Sequence, residues 1–126
     1  MMPVLADNTK FLEEIRLFAK SRGSIPRSLW FNGQNMKVYL RDCPRIIAGQ
    51  RYEVITISNV LVFNPGQGVY RDFLGFMDTL GEHLFIENVF DVEQHPIYLT
   101  RGYTAIQLSD YDPALSFYKL LAETSK

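Results

Sequence analysis

Cysteine is nearly absent from this 126-residue chain. Cys43 has no partner, and together with His83 and His95 it gives neither zinc-ligand spacing nor a disulfide framework. No metal site is expected. A lone thiol fits a reducing compartment, and the opening Met1-Met2-Pro3-Val4-Leu5-Ala6-Asp7 lacks the basic start and apolar stretch of a signal peptide. No apolar run approaches the roughly 18 residues of a membrane span, so a cytoplasmic protein without a membrane partner is expected. No stripe of basic residues interleaved with aromatics runs along the chain, and nucleic-acid binding is not indicated. There is no Walker loop, internal repeat, low-complexity tract or linker. What is present is 47% apolar and 13% aromatic residues, enough for one core without disulfides or structural metal. Residues 1–126 are therefore read as one domain. The net charge of −1 hides an asymmetry: residues 1–51 hold nine basic and four acidic groups, residues 52–126 four basic and ten acidic. Two solvated faces, screened at physiological salt, are the simplest reading.

Asp7 or Asn8 can cap a helix in which Phe11, Leu12, Ile15, Phe18 and Ala19 recur at helical spacing, with a stop at Gly23. Ser24 to Asn35, with Pro26, Gly33 and the lone Trp30, reads as a connecting loop. Met36–Leu40 and Glu53–Phe63 read as strands of a hairpin, joined through Pro44 and Ala48-Gly49-Gln50. The second strand ends as a continuous apolar run, which suggests cover on both faces. Asn64-Pro65-Gly66-Gln67-Gly68 breaks it, and Val69, Phe73, Leu74, Met77 and Leu80 mark a helix ending near Gly81. Leu84–Phe90 resumes as a strand, completing a βαβ unit with parallel strands. A short helical stretch over 92–101, a stop at Gly102, a strand over 103–108, a turn at Ser109–Pro113 and a last apolar segment, 115–121, complete a mixed α+β sheet domain.

The strand–Gly66-Gln67-Gly68–helix junction carries the strongest chemical signal. Glycines admit close approach of a ligand to backbone N–H groups, and a helix N-terminus favours an anion such as pyrophosphate. A dinucleotide fingerprint needs a third glycine where Arg71 stands, so a nucleotide dehydrogenase is not expected.

The order of elements from Met36 to Tyr103, with Asn59-Val60-Leu61-Val62, Gly66-Gln67-Gly68, Phe73-Leu74, Ile86-Glu87-Asn88-Val89 and Arg101-Gly102-Tyr103, resembles the GNAT family of N-acetyltransferases in its small bacterial and phage form. The resemblance covers roughly residues 36–121; the N-terminal helix and loop, 1–35, lie outside it. It implies a splayed sheet, direct attack of an amine on the acetyl-CoA thioester, and no enzyme nucleophile. Acetyl-CoA would be the cosubstrate, held by Leu61, Val62, Phe63, Gly66, Gln67, Gly68, Val69, Tyr70 and Asn88, with a backbone N–H near Leu61 or Val62 polarising the carbonyl. The acceptor would be an amine of a small molecule or protein. Tyr98 stands close to the place of the tyrosine that protonates the departing thiolate, and Glu87 is the nearest carboxylate for the acceptor amine, with Glu53 second. His83 and His95 are expected in surface loops. Two departures stand out. The glycine loop is short and carries no basic residue, and Asp91 brings negative charge to a position where the family commonly places a cofactor-contacting asparagine. They define the alternative, a non-catalytic GNAT-like protein, phage-encoded, binding a host protein in the host cytoplasm. An edge strand at Phe117–Leu121 could pair across a homodimer axis, and a covered or intramolecular edge is equally consistent.

Overall fold

The computed structural model describes residues 9–21, 26–108 and 114–121. The helix cap at Asp7 or Asn8, the stop at Gly23 and the turn at Ser109–Pro113 lie outside these residues. In chain order the elements are α1 (Thr9–Lys20), β1 (Arg27–Asn32), β2 (Met36–Ile47), β3 (Gln50–Val62), α2 (Val69–Asp78), β4 (His83–Val89), α3 (His95–Thr100), β5 (Thr104–Ile106) and β6 (Leu115–Lys119). A 3₁₀ turn over Val92–Gln94 leads into α3. The six strands form one sheet in the order β1-β2-β3-β4-β6-β5. Only β3 and β4 run parallel; every other pair is antiparallel. This is the mixed α+β architecture expected from the sequence, with the βαβ unit at its centre.

The hairpin is longer than its sequence suggested. β2 runs through Pro44 to Ile47 and turns in two residues, Ala48 (φ 52°) and Gly49 (φ 81°), into β3. Positive φ at both central positions is the primed turn that matches strand twist. Among the described residues β1 reaches only to Arg27, opposite Asp42, so Pro44 has a described neighbour in β3 alone, which suits its missing N–H.

One expectation is corrected, and one alternative is resolved. The segment around Trp30 is a strand, β1, with Trp30 directly opposite Tyr39 and ring centroids 5.1 Å apart. Of its six residues only Phe31 is buried, so an edge strand with one inward anchor shows no alternation to read. Phe117–Leu121 contains no free edge either. β6 lies between β4 and β5, with Tyr118 opposite Phe85 on one side and Thr104 on the other, so of the two arrangements left open for this segment the intramolecular one is observed.

Period-2 burial along β2 separates the faces: Met36, Val38, Leu40 and Asp42 are buried, while Lys37, Tyr39, Arg41 and Cys43 are half-buried. The buried face meets α1 through Phe11, Ile15 and Phe18 and α2 through Phe73, Leu74 and Met77, in one cluster with Ile55, Ile57, Leu84, Ile86 and Phe117. Asp42, 4% exposed, receives Arg27 at 2.9 Å, and the same guanidinium donates to the Phe18 carbonyl at 2.7 Å. That arginine therefore joins α1 to the sheet edge while neutralising a buried carboxylate. Phe73 is fully buried and touches Phe11 and Tyr70. Phe73→Ala is expected to cost about 3–5 kcal/mol in urea unfolding, separating α2 from α1; a loss below about 1 kcal/mol would contradict this packing.

Candidate functional site

The parallel ladder between β3 and β4 extends only from Val54↔His83 to Ile57↔Ile86. Beyond it both strands turn away from each other for local reasons. In β3 the register against β2 slips between Tyr39↔Asn59 and Leu40↔Ile57, so Ser58 is an extra, bulged residue. In β4 the register against β6 slips between Ile86 and Val89, where Asn88 has φ 50° and donates its backbone N–H to Ser116 Oγ at 3.0 Å. Asparagine is one of the few side chains that accept this left-handed conformation, and a strained residue beside a cleft is a recurrent mark of function.

The two bulges open a cleft of about 620 Å³. One wall is β3 from Ile57 to Val62, the other β4 from Ile86 to Val89 with Phe90 and Asp91 beyond its end, and the mouth is Pro65, Gly66, Gly68 and the first turn of α2. Along the first wall β4 supplies no ladder partner past Ile57, leaving backbone groups of β3 facing the cleft. Ser58 Oγ is buried there with no hydrogen-bond partner. At the mouth Gly66 and Gly68 have φ of 92° and 77°, and Gly68 is the N-cap of α2. A Cβ at Gly68 would stand 2.8 Å from a terminal nitrogen of Arg71, so this guanidinium folds back over the glycine. Helix N-terminus, open glycine backbone and a cation thus coincide.

Of the residues expected at a cofactor site, the cleft brings together Val62, Gly66, Gly68, Val69, Tyr70 and Asn88, and with them the expected Tyr98 and Glu87. Leu61 and Phe63 are instead exposed, at 51% and 46%, and neither they nor Gln67 line it. Arg71, Asn59 and Gln94 line the cleft without having been read from the sequence. Arg71 had a signal, standing three residues after Gly68 in the first turn of the helix. Asn59 stood in the run Asn59–Val62 that carries the resemblance without being assigned a role, and Gln94 had no signal.

Glu87 is held away from the role of a free base. Its Oε2 accepts from Arg45 at 2.5 Å and lies 3.5 Å from Arg41, both on β2. Arg45 also donates to Thr56 Oγ1 at 3.1 Å and lies 4.0 Å over the Phe85 ring, so the carboxylate belongs to a tied, partly buried cluster. Glu53 is exposed and pairs with Arg51 at 3.2 Å, far along β3 from the bulge. Asp91 caps the 3₁₀ turn, accepting from Glu93 N at 3.0 Å. Neither histidine is a surface loop residue: His83 opens β4, its Nδ1 accepting from Leu121 N at 2.9 Å, and His95 packs on Phe117 with Nε2 3.3 Å from the Val89 carbonyl. Cys43 is half-buried and free.

Three phenols cluster around Tyr98: Tyr70 and Tyr98 line the cleft, and Tyr103 packs against the Tyr98 ring. Tyr98 is 2% exposed, stacked on Phe117 at 4.9 Å and set edge-on to Tyr103 at 5.8 Å. Its hydroxyl lies 2.7 Å from that of Tyr70. Burial pushes the Tyr70 phenol well above its ordinary value, with the Tyr98 hydroxyl adding to the rise. Burial also raises Tyr98, a rise its hydrogen bond with Tyr70 opposes, and it raises Tyr103, to which Asp78 adds. At neutral pH all three hydroxyls carry their protons. Among the described residues no group of three or more potential metal ligands is found.

No family model matches the chain, and no curated protein matches it. Among solved structures it is similar to a mutant of the AtaT toxin bound to the C-terminus of the antitoxin AtaR and acetyl-CoA, with 17% identity and a TM-score of 0.49 over 67% of this chain. The matched region spans 58% of that protein's length. It is also similar to the KacTA–DNA complex, with 23% identity and a TM-score of 0.41 over 84% of this chain and 79% of that one.

Gly68→Ala tests the mouth of the cleft. The left-handed φ costs a β-carbon about 1–2 kcal/mol, and the new methyl must displace Arg71. Urea unfolding should show that loss; an unchanged midpoint would contradict the conformation of the loop.

Proposed function

We propose that the protein is an acetyl-CoA-dependent N-acetyltransferase of the GNAT type, acting in the cytoplasm on an amine of a small molecule or protein. The observation that carries this reading is the gap between two parallel strands, opening at one end on an N-terminal helix turn with Gly68 and Arg71 and holding a buried, protonated Tyr98. Whereas Phe63 already donates its backbone N–H to the Asn35 carbonyl at 3.0 Å and Leu61 stands opposite Lys37 of β2, a pantetheine arm offers amide groups to the unpartnered backbone of β3 around Val60 and Val62. Its pyrophosphate suits Gly66, Gln67, Gly68, Val69 and the start of α2, with Arg71 providing the positive charge that the loop itself lacks. Asn88, on the opposite wall, offers its side-chain amide.

In the reaction the amine lone pair attacks the thioester carbonyl, a C–N bond forms, the C–S bond breaks, and the amine proton passes to water. A backbone N–H of the β3 bulge stabilises the developing oxyanion, and Tyr98 gives its proton to the thiolate. Glu87 is paired with Arg41 and Arg45 of β2 instead of taking the proton. The non-catalytic alternative has one observation in its favour, the carboxylate of Asp91 on the cleft wall. Acetyl-CoA bound tightly but transferred to no amine is the result that would select it.

Thermal unfolding with and without acetyl-CoA, with adenosine diphosphate as the comparison, is the direct test. Saturation at 100 times the dissociation constant adds about 2.7 kcal/mol, so the midpoint should rise by several degrees beyond the nucleotide control. In Gly68→Arg, which blocks the mouth, that rise should vanish. No rise in the unmodified protein removes the cofactor assignment.

A further inference from the structure

We propose that Tyr70 is the positioning residue for Tyr98: its hydroxyl donates to the Tyr98 oxygen, leaving the Tyr98 O–H free to point at the departing thiolate. This rests on the acetyltransferase reading. The two hydroxyls are 2.7 Å apart although 28 residues separate them in sequence, one on the first turn of α2 and the other on α3. Both residues line the cleft. The Tyr98 ring is fixed by Phe117 and Tyr103, but ring packing leaves the hydroxyl hydrogen free to rotate. A phenol has one hydrogen. If Tyr98 spent it on Tyr70, none would face the substrate; if Tyr70 donates, the Tyr98 proton is available and the Tyr98 oxygen is already solvated by a fixed dipole.

Charge flow during the reaction selects the second arrangement. As the C–S bond breaks, its electron pair goes to sulfur and sulfur takes the Tyr98 proton, leaving negative charge on the Tyr98 oxygen. The products are the amide and the free thiol, and the phenolate recovers its proton from solvent. In a site this buried, an oxygen becoming negative needs a donor in place beforehand. Burial raises the Tyr98 pKa and the Tyr70 bond lowers it, and that lowering is what a donor to the Tyr98 oxygen produces. Tyr70 thereby makes Tyr98 a better acid than burial alone permits.

The experiment compares unmodified protein, Tyr70→Phe, Tyr98→Phe and the double variant, with calorimetric titration of acetyl-CoA and thiol release measured using hydroxylamine as acceptor. Tyr70→Phe keeps the backbone N–H that position 70 offers the pyrophosphate and removes only the hydroxyl, so it is expected to bind acetyl-CoA within about twofold of the unmodified protein and to leave KM unchanged. Its kcat should fall roughly tenfold, the worth of one hydrogen bond of about 1.4 kcal/mol. With an acetyl thioester of an acidic aryl thiol, whose departure needs no proton, the loss should disappear. On the Tyr98→Phe background the second substitution should add nothing. The proposal is overturned by an unchanged kcat, by an equal loss with both donors, by a rise in KM in place of the fall in kcat, or by additive losses in the double variant. Binding of acetyl-CoA without thiol release in the unmodified protein overturns the acid role while sparing the cofactor site. No binding at all overturns the acetyltransferase reading, and the proposal with it.

Discussion

Four residue pairs of parallel ladder, Val54↔His83 to Ile57↔Ile86, hold the centre of this protein together, and their early end creates the cleft. Everything around them follows from that limit. Parallel strands need a crossover, and α2 provides it, so the helix must begin where β3 leaves the sheet. Its unsatisfied N–H groups then face the same gap into which the separated strands direct their own backbone. Had the ladder continued to Val62 and Val89, those backbone groups would be paired and the space closed. The bulges at Ser58 and Asn88 stop it, one by inserting a residue and the other by adopting a left-handed turn.

Much of the scaffold was legible because it is buried periodically. The apolar residues of α1 and α2 recur at helical spacing, but β3 is covered on both faces at Val54–Ile57 and not along its terminal apolar run, where Leu61 and Phe63 are exposed. The failures have a common cause, that pairing partners rather than local composition decided the structure. β1 exposes five of its six residues to some degree and is a strand because β2 pairs with it. Pro44 argued for a turn, yet it falls where β2 has a described neighbour in β3 alone. Leu115–Lys119 is an interior strand of the sheet although it is the last of the described strands, a position set by β4 and β5 on either side.

The cleft divides in the same way. Gly66, Gly68, Val69 and Tyr70 were readable because a glycine turn before a helix has a physical meaning in one dimension. Asn88, Glu87 and Tyr98 were placed by the family resemblance, and the structure brings them to the same cavity. What no sequence pattern could convey is how side chains far apart in number meet. Glu87 is tied to Arg45 across 42 residues, and Tyr70 touches Tyr98 across 28. The first contact removes a carboxylate from the free groups of the site. The second joins two phenols that looked unrelated.

The position of β6 reaches into biosynthesis. During translation the N-terminal parts of a chain emerge and can fold first, and here the long β2–β3 hairpin with α1 is made of residues up to Val62. The opposite wall depends on β4, which is held on its far side by β6, and the Tyr98 ring rests on Phe117 of that same last strand. Until the ribosome has released Phe117 there is one wall, a loop and no fixed phenol. Every shorter nascent chain lacks the completed cleft, so whatever chemistry the cleft performs begins only after β6 has emerged and paired.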